Sequence, residues 1–401
     1  MAVGGALELK GPSGAAGPAA WAPAVREAWS RIQAEPGARP LLLGGFAFEP
    51  RGDSGRGADW REFGNGRLTL PELLFEEDAE ERRLTAAAQV APDRDLKELE
   101  RRLCARIRNW FADAPAGPGL GGALRSSPPP GELAERYALK AREMIGAIRA
   151  GGARKVVLAD CETVGLDGGE SVGSLLAALR AAHPRCLSFA CGFGEATLVG
   201  STPERVVRLE GERVRAEALA GTAARDDDPD RDALEAIRLR SSEKDLAEHA
   251  FVVEAVAATL SEACSEVEIP SQPGLRRTGN AQHLNTEISG RVRSGLHLLE
   301  LLERLHPSPA VAGTPRPEAL ELIRKHESFD RGWYAGTVGW LEPSGGGEFH
   351  AALRCALLRG RAAQLFAGAG LVADSKPELE AAETRLKLQV MRDALERACA
   401  G

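Results

Sequence analysis

The sequence predicts an α+β fold, in which runs of antiparallel strands alternate with helices, and not a doubly wound parallel sheet. Residues 205–222, RVVRLEGERVRAEALAGT, alternate between apolar and polar types on both sides of Glu210-Gly211, which is typical of a β-hairpin. Near the end of the chain three further strands are predicted to follow one another in antiparallel succession, at 333–342, 348–360 and 361–372.

The first third of the chain carries weaker signals. Residues 1 to about 40 are rich in Gly, Ala and Pro, with a helix predicted at 24–34. LLLGGFAFEP (41–50) predicts a buried strand that enters a surface loop at 51–59. Within 84–111 a polar linker precedes a helix, DLKELERRLCARIRNWF.

A segment dense in Pro and Gly, APAGPGLGGALRSSPPPG (114–131), is the clearest break, and its composition predicts no regular structure. It divides the chain into an N-terminal part (1–115), a linker (116–131) and a main C-terminal region (132–401). The elements predicted beyond the linker are a helix at 132–150, a strand at 155–164, two short strands within 187–204, a helix opening near 243 and ending at 263, and a closing helix at 379–395.

Composition limits the class of protein. With 401 residues, 43% of them apolar, the chain can bury a large core. Acidic residues (58) outnumber basic ones (51), and the net charge of −7 argues against nucleic acid or anionic membrane as partners. We see no membrane-length apolar run and no signal peptide, so the expected location is the cytoplasm. Seven scattered cysteines without a CxxC pair predict small core thiols, not disulfides or zinc ligands.

Two pairs of carboxylates attract attention. Asp245 and Glu248 lie three residues apart at the start of one predicted helix, and Glu380 and Glu383 have the same spacing in another. Residues at this spacing share a helix face, so two such helices could hold a hard cation such as Mg²⁺ between them. The alternative for either pair alone is a solvated, charged helix face.

Five further features could carry chemistry. Lys155 opens an apolar strand, where it could be a desolvated base or a lysine extending to solvent from a strand end. Glu204 follows Thr-Pro at a turn, and could be an ordinary turn glutamate. Arg354 lies in an apolar strand, where it needs an anion if it is buried, although alternation could instead direct it to solvent. AGAG (367–370) is predicted to end a strand some ten residues before a helix, and could offer backbone N–H groups to an anion. His283 has no second histidine at ligand spacing and is typical of a core histidine.

Nine segments occur together in one order: KVVLA, GSTPE, EALAGT, SEKDLAEH, QHLNTEISG, LHPSPAVAGTP, FDRGWYAG, AALRCALL and LFAGAGLVADS with ETRLKL. Together they closely resemble the chorismate-utilising synthases, a family that includes isochorismate, anthranilate, aminodeoxychorismate and salicylate synthases. The resemblance covers about two-thirds of the chain. It implies one large α+β unit, with two antiparallel sheets packed together, helices outside and the active site between the sheets.

Within the family, the resemblance favours the branch that adds water to form isochorismate. Water-adding members carry lysine where Lys155 stands, whereas ammonia-using anthranilate synthases typically have glutamine. Aminodeoxychorismate synthases form an adduct through a lysine at the position of Ala220, and alanine cannot. No glutamine-amidotransferase segment is present, so no such subunit is expected. Salicylate synthase is the nearest alternative, but its members typically carry threonine where this chain has Ala310.

The resemblance also implies roles for single residues. Lys155 would be the base that activates water, and Glu204, kept protonated by burial, the acid that assists departure of the C4 hydroxyl. Mg²⁺ would be held by Glu248 and Glu383, with Asp245 and Glu380 acting through water or from behind. The residues expected to position the substrate are Gly221, Thr222, His283, Tyr334, Arg354, Gly368 and Lys387.

One departure from the family pattern is Asp160, where an arginine is usual after KVVLA. Five residues along a strand, it should face away from Lys155. The metabolic route, whether to menaquinone, a catecholate siderophore or salicylate, is not predicted, and a monomer is the default. Competing classes are an anion-binding protein, which nucleotides would stabilise against heat, and an acidic scaffold, which would bind neither Mg²⁺ nor chorismate.

Overall fold

A computed structural model describes residues 1–9, 11, 16–52, 57–90, 95–112, 125–127, 130–166 and 172–400 of the chain. The helices of these residues are α1 Ala22–Arg31, α2 Leu96–Ala112, α3 Pro130–Arg149, α4 Val172–Ala182, α5 Pro229–Ser241, α6 Glu243–Ala263, α7 Leu298–Leu305, α8 Arg316–His326 and α9 Pro377–Ala400. Short 3-10 helices lie at Pro18–Trp21 and Ala58–Trp60.

The strands of the same residues are β1 Ala2–Val3, β2 Leu7–Leu9, β3 Leu42–Phe46, β4 Gly66–Leu70, β5 Leu73–Glu77, β6 Arg82–Ala86, β7 Arg125–Ser127, β8 Lys155–Gly165, β9 Leu187–Phe193, β10 Ala196–Thr202, β11 Arg205–Glu210, β12 Arg213–Ala224, β13 Cys264–Glu268, β14 Gly274–Arg277, β15 Ala281–Val292, β16 Gly313–Thr314, β17 Thr337–Leu341, β18 Gly347–Ala351, β19 Cys355–Arg359 and β20 Ala362–Leu371.

These strands form two large sheets and one small one. The seven-stranded sheet has the order β16-β8-β20-β19-β10-β9, with β7 on β8. The ten-stranded sheet has the order β13-β15-β12-β11-β18-β17-β3-β4-β2, with β14 on β15. A three-stranded sheet, β1-β5-β6, was not predicted. The large sheets are antiparallel, as the β8–β20 and β12–β15 registers illustrate, so the predicted α+β class is confirmed.

The two large sheets pack face to face. One apolar cluster contains residues of the seven-stranded sheet, such as Leu158 and Leu198, together with residues of the ten-stranded sheet, such as Phe46 and Phe349. A second cluster on the outer face of the seven-stranded sheet joins it to α4 and α9. Burial of these residues is the main favourable contribution to folding, at about 25 cal/mol per Å² of apolar surface.

Local sequence explains why α6 begins where it does and which face it buries. The side chain of Ser242 caps the helix by accepting a hydrogen bond from the Asp245 N–H. Val252, Val256 and Leu260 then repeat every four residues along its buried face. Glu248 stands one step earlier in the same stripe, so its carboxylate is directed into the protein and not to solvent. The alternative of a solvated charged face is therefore wrong for Glu248.

The prediction of three successive strands over 333–372 is wrong in one respect. The middle segment is two strands, β18 and β19, which belong to different sheets. Between them Arg354 has a φ of 48°, a left-handed conformation that interrupts an extended chain. Arg354 therefore lies in the link that carries the chain from one sheet to the other, and not within an apolar strand.

The predicted linker of residues 116–131 is only partly described, because 113–124 and 128–129 lie outside the described residues. Within it, β7 pairs with β8, and α3 begins at Pro130, a residue well suited to a first helical turn. The expectation of no regular structure is therefore wrong for these residues. The predicted surface loop at 51–59 likewise lies partly outside, since 53–56 are not described.

Two predictions based on composition can be compared with the described residues. None of their helices is long and apolar enough to cross a membrane. Six cysteines have described side chains, and all six are free thiols; Cys264 and Cys355 are buried, whereas Cys104 is exposed, so the expectation of a core thiol is wrong for Cys104.

Candidate active site

A cavity of about 680 Å³, counting the space open to solvent, lies where the two large sheets meet α6 and α9. Ten of the residues singled out from the sequence line it, although they come from eight separate parts of the chain. They are Glu204, Gly221, Thr222, Glu248, His283, Tyr334, Arg354, Gly368, Glu383 and Lys387.

Lys155 is held directly behind the cavity wall. Its side chain is fully buried, and its Nζ lies 3.0 Å from Glu248 Oε1. No described residue accepts a well-aligned hydrogen bond from this Nζ. A buried polar nitrogen needs hydrogen-bond partners, so Lys155 Nζ retains capacity for a ligand or water in the cavity.

Gly370 leaves the space in which Lys155 and Glu248 meet, and the sequence analysis did not identify it as a site residue. A Cβ atom at residue 370 would lie 2.2 Å from Glu248 Oε1 and 2.8 Å from Lys155 Cε. Both distances are far below van der Waals contact, so any side chain would displace the pair. Gly370 belongs to the AGAG segment, which the sequence analysis interpreted only as a candidate anion-binding loop.

Glu204 lies in the turn between β10 and β11, and only 5% of its surface is exposed to solvent. Among the described residues none donates a hydrogen bond to its carboxyl group. Burial raises the pKa of Glu204 to about 7, with Glu217 raising it further and Lys155 and Arg354 opposing the rise. The side chain is therefore largely protonated below about pH 7, in line with the protonated acid that the family resemblance implies.

Arg354 and His283 form the opposite part of the cavity. Arg354 Nη2 lies 3.4 Å from His283 Nε2, and no described carboxylate lies within ion-pair distance of this guanidinium. His283 Nδ1 lies 3.2 Å from the Gly221 carbonyl oxygen, which can only accept, so Nδ1 carries the proton and Nε2 accepts from Arg354. Burial, with Arg354 and Lys387 nearby, lowers the pKa of His283 to about 3, so the ring is neutral.

A β-bulge at Gly221 positions Thr222 against His283. The β12–β15 register shifts between Ala220 and Thr222, leaving Gly221 as the extra residue at a φ of 73°. The bulge turns Thr222 Oγ1 to within 3.2 Å of His283 Nδ1. On the facing wall the Tyr334 ring stacks on Phe366 with a centroid distance of 5.0 Å.

On α9, Glu383 and Lys387 are one turn apart and face the cavity together. Lys387 Nζ lies 2.6 Å from Glu383 Oε1 and donates a 2.8 Å hydrogen bond to the Gly368 carbonyl oxygen. Burial alone would raise the pKa of Glu383, but Lys387 lowers it below the ordinary value. AGAG forms the last part of β20, which ends at Leu371, so the expectation that it ends a strand is confirmed; its residues pair with β8.

The four carboxylates proposed as metal ligands are brought near one another, but not equally. Glu248 and Glu383 line the cavity, whereas Asp245 and Glu380 do not. Asp245 accepts a 2.5 Å hydrogen bond from Ser242 Oγ, and Glu380 pairs with Lys244 Nζ at 2.6 Å. In the described part of the chain no three acidic, histidine or cysteine residues form a ready metal cluster.

The donor set nevertheless fits a magnesium ion. Burial raises the pKa of Asp245, and the charges of Glu248 and Glu383 raise it further, so these carboxylates lie in one another's fields. A divalent cation would relieve that repulsion. Mg²⁺ binds few carboxylates and completes its shell with water and substrate oxygens, which suits a site in which two carboxylates, Glu248 and Glu383, line the cavity.

Asp160 faces the other side of β8, as expected. Its carboxylate accepts hydrogen bonds of 3.0 and 2.9 Å from Arg136 Nε and Nη2, and Lys140 Nζ lies 3.5 Å away. Both partners belong to α3, which covers the face of the sheet opposite the cavity. The charge that departs from the family pattern is thus neutralised locally, away from Lys155.

The cavity therefore combines a protonated carboxylic acid, three cations, two carboxylates suited to magnesium and an aromatic wall. Such a site is suited to a small polyanionic substrate whose reaction requires proton transfer and stabilisation of carboxylate charge.

Comparison with known proteins defines the class. Residues 13–396 match the family described as chorismate binding enzyme, so the chain belongs to that family. It is 40% identical over 359 residues to the salicylate biosynthesis isochorismate synthase of Pseudomonas aeruginosa, covering 89% of this chain and 74% of the relative. It is 35% identical over 357 residues to isochorismate synthase MenF of Bacillus subtilis, with the same two coverages.

Two solved structures share the fold of this chain. A Bacillus anthracis structure assigned as the 2,3-dihydroxybenzoate-specific isochorismate synthase DhbC gives a TM-score of 0.77 at 31% identity, covering 98% of this chain and 92% of that one. Anthranilate synthase component I of Streptococcus pneumoniae gives 0.73 at 20% identity, covering 90% and 82%, which supports the fold alone. The resemblance to isochorismate synthases and their fold is confirmed.

Proposed function

We propose that this chain is an isochorismate synthase, an isomerase that converts chorismate into isochorismate. The observation that carries the proposal is Glu204, a buried carboxylic acid with a pKa of about 7 that faces the same cavity as Arg354, with Lys155 directly behind the cavity wall. The names of the relatives from Pseudomonas aeruginosa and Bacillus subtilis support the same reaction.

The reaction needs one base and one acid. Lys155 takes a proton from water while the water oxygen bonds to C2 of the ring. The ring double bonds shift, the C4–oxygen bond breaks, and Glu204 gives its proton to the departing hydroxyl, which leaves as water. One water enters and one leaves, so substrate and product are isomers, and return of a proton from Lys155 to Glu204 through solvent restores the enzyme. The buried Lys155 Nζ has no hydrogen-bond partner among the described residues, which supports its contact with this water.

Two carboxylates of chorismate must be held while this happens. Arg354 has no described protein carboxylate as a partner, so the enolpyruvyl carboxylate can take that place, with Tyr334, Gly368 and Lys387 around it. His283 fixes the direction of the Arg354 fork through the hydrogen bond at Nε2. Gly221 and Thr222 line the end of the cavity toward the ring carboxylate.

A magnesium ion would be held by Glu248 and Glu383, with Asp245 and Glu380 behind them. When bound, it would supply positive charge to the ring carboxylate. In its absence, Lys155 and Lys387 partly balance the charges of Glu248 and Glu383.

A second candidate is salicylate synthase, which forms isochorismate and then eliminates pyruvate. The same acid, base and carboxylates would serve the first step of both enzymes. Ala310 lines the cavity and argues against the second step, because alanine has no hydroxyl to restrain the enolpyruvyl group.

One incubation tests the proposal. Purified protein with chorismate and Mg²⁺ should give isochorismate, identified by chromatography against a standard, and the reaction should stop with EDTA. Ammonium salts should give no amino product, because water is the proposed nucleophile and no amidotransferase subunit is required. Formation of anthranilate or another aminated product would contradict the assignment. We also propose a monomer, which size-exclusion chromatography with light scattering would check.

A further inference from the structure

Glu217 supports the turn that carries Glu204, and it has no role in the mechanism proposed above. Glu217, on β12, has a side chain that is fully buried. Its Oε1 accepts 2.7 Å hydrogen bonds from two arginines, Arg205 Nη2 and Arg276 Nη2. A buried anion with two charge-assisted hydrogen bonds is rigidly placed.

The two arginines grip the backbone on both sides of Glu204. Arg205 is the next residue in the chain. Arg276, on β14, also donates a 3.0 Å hydrogen bond from Nη1 to the carbonyl oxygen of Pro203, the preceding residue. One oxygen of Glu217 is thus the common anchor for both flanks of the turn that carries Glu204. The Glu204 carbonyl oxygen is held separately by the Ala351 N–H at 3.0 Å.

We propose that Glu217 is a positioning residue, which fixes the turn of Glu204 through Arg205 and Arg276 and, by its own negative charge, keeps the Glu204 carboxyl group protonated. This inference rests on the proposed function for its catalytic meaning. The geometry on which it stands is independent of the substrate.

The charges around Glu204 define what Glu217 must oppose. Lys155 of β8, Arg354 of the β18–β19 link and Lys387 of α9 are cations that favour the ionised carboxylate. Among the groups that act on Glu204, Glu217 is the anion, and its effect is to raise the pKa of Glu204. Arg205 and Arg276 add positive charge beside the turn that carries Glu204. Glu248 of α6 and Glu383 of α9 line the same cavity as further carboxylates. Without the Glu217 charge, the two arginines that it neutralises would also favour the ionised form of Glu204.

The test is titration of the Glu204 carboxyl group in ligand-free protein. The infrared carbonyl band of protonated carboxylic acids is followed against pH, and Glu204→Gln identifies the contribution of residue 204. Glu217→Gln keeps an oxygen that can accept from both arginines but removes the charge. We expect its Glu204 midpoint to fall by about one pH unit or more, the usual effect of a nearby charge. The basic limb of the kcat/KM profile should move by the same amount.

Arg276→Met gives the opposite sign. It removes one cation that neutralises Glu217, so the Glu204 midpoint should rise. Loss of a purely structural clamp would shift both variants in the same direction. Arg276→Met also keeps the test available if Glu217→Gln does not fold, because the Arg276 side chain is 25% exposed.

Glu287→Gln is the matched control. Glu287 also lies near Arg205, at 3.5 Å, but its side chain is 44% exposed, so water screens its charge and the midpoint should not move. An unchanged midpoint in Glu217→Gln, or a fall in Arg276→Met, would overturn the proposal. Because the titration involves no turnover, it remains decisive if the protein proves to make a different product.

Discussion

Glu204 determines how activity should depend on pH. As a general acid it must be protonated, and its pKa of about 7 lies well above the ordinary value of 4.5. We therefore expect kcat/KM, which reports ionisation of the free enzyme, to level off about one unit below pH 7 and to fall about tenfold per unit well above it. Glu204→Gln should lose at least about 10²-fold in kcat at pH 7 with chorismate affinity kept. A kcat/KM profile that rises through pH 7 would contradict the acid assignment.

The raised pKa of Glu204 should also make folding stability depend on pH. Because the folded protein binds the Glu204 proton more tightly than the unfolded chain does, folding stability should fall as pH rises from about 4.5 to about 7. The loss attributable to this residue is on the order of 3 kcal/mol. Denaturant unfolding of wild type and Glu204→Gln across that range should diverge accordingly.

Arg354 should control substrate affinity. Its guanidinium has no described carboxylate partner and faces the cavity, so an anionic substrate supplies the missing charge. Arg354→Met removes charge-assisted hydrogen bonds worth about 1.5–3 kcal/mol, so KM for chorismate should rise about 10- to 100-fold.

Arg359→Met is the control for that variant. It lies five residues further on, pairs with Glu62 near the surface at 2.7 Å, and should leave KM unchanged. Steady-state kinetics distinguish the two. If Arg354→Met bound chorismate normally, the carboxylate would have to be held elsewhere.

At the scale of single residues, the sequence indicated which side chains could carry chemistry, but not which residues they contact. Lys155, Glu204 and Arg354 were recognisable because each stands within a segment shared with a known family. The contact of Lys155 with Glu248 joins positions 93 residues apart, and no local pattern indicates it. Glu217 was missed for the same reason: its partners Arg205 and Arg276 meet it only after three strands have paired.

At the scale of elements, β20 shows how a glycine shapes the site. Gly370→Ala would place a methyl group against Glu248 Oε1 and Lys155 Cε, both buried. We expect it to displace that pair and to lower kcat by about 10²-fold, the cost of misplacing a catalytic group by about 1 Å. Circular dichroism should still show a folded protein.

Gly146→Ala is the matched control for that substitution. Gly146 lies inside α3 with nothing within 4 Å of an added Cβ atom. Alanine should stabilise this helix by roughly 0.5–1 kcal/mol without changing kcat. Normal turnover by Gly370→Ala would mean that the Lys155–Glu248 contact is not needed for the reaction.

Elements whose signals are local were predicted well. The β11–β12 hairpin, α6 and α9 follow from alternation, capping and helical periodicity. The switch from β18 to β19 was not predicted, because it depends on Arg354 adopting a left-handed φ that only the two assembled sheets can impose.

At the scale of the whole molecule, metal binding should be visible as stability. Ligand that binds only the folded state stabilises it by about 2.7 kcal/mol at a hundredfold excess over Kd. Mg²⁺ should therefore raise Tm of wild type by a few degrees, on the order expected for a chain of this size. Glu248→Gln and Glu383→Gln should abolish the increase, because each removes one of the two carboxylates that line the cavity.

The control is Glu378→Gln, on the first turn of α9 with a side chain 69% exposed, which should keep the increase. Glu248→Gln should also start from a lower Tm, because it leaves the buried Lys155 without its anion. The readout is therefore the difference made by Mg²⁺. An equal increase in all four proteins would place the cation elsewhere.

The architecture of two packed sheets was predictable only through the resemblance to a family. Composition and periodicity indicate antiparallel strands, but the order β16-β8-β20-β19-β10-β9 joins strands more than 150 residues apart. Such pairing is set by the packing of the whole chain, and the cavity exists because both sheets and two helices meet there.

The product of the reaction is the last prediction, and it depends on the wall of that cavity. Ala310 lies on the wall beside Val311, whose carbonyl oxygen accepts a 2.8 Å hydrogen bond from the buried Arg331. The wall is therefore fixed in position, and it offers the enolpyruvyl group no side-chain hydroxyl at residue 310. We expect isochorismate in equilibrium with chorismate, with at most traces of salicylate and pyruvate.

Ala310→Thr and Ala310→Val separate the two ways in which this residue could act. Threonine and valine have nearly the same volume, but only threonine has a hydroxyl that can restrain the enolpyruvyl group over C2. We expect pyruvate release, measured by a coupled assay together with salicylate fluorescence, to increase in the threonine variant alone. Equal increases would assign the effect to bulk. Stoichiometric salicylate from the unaltered chain would instead identify it as a salicylate synthase, because a missing hydroxyl would then not prevent the elimination.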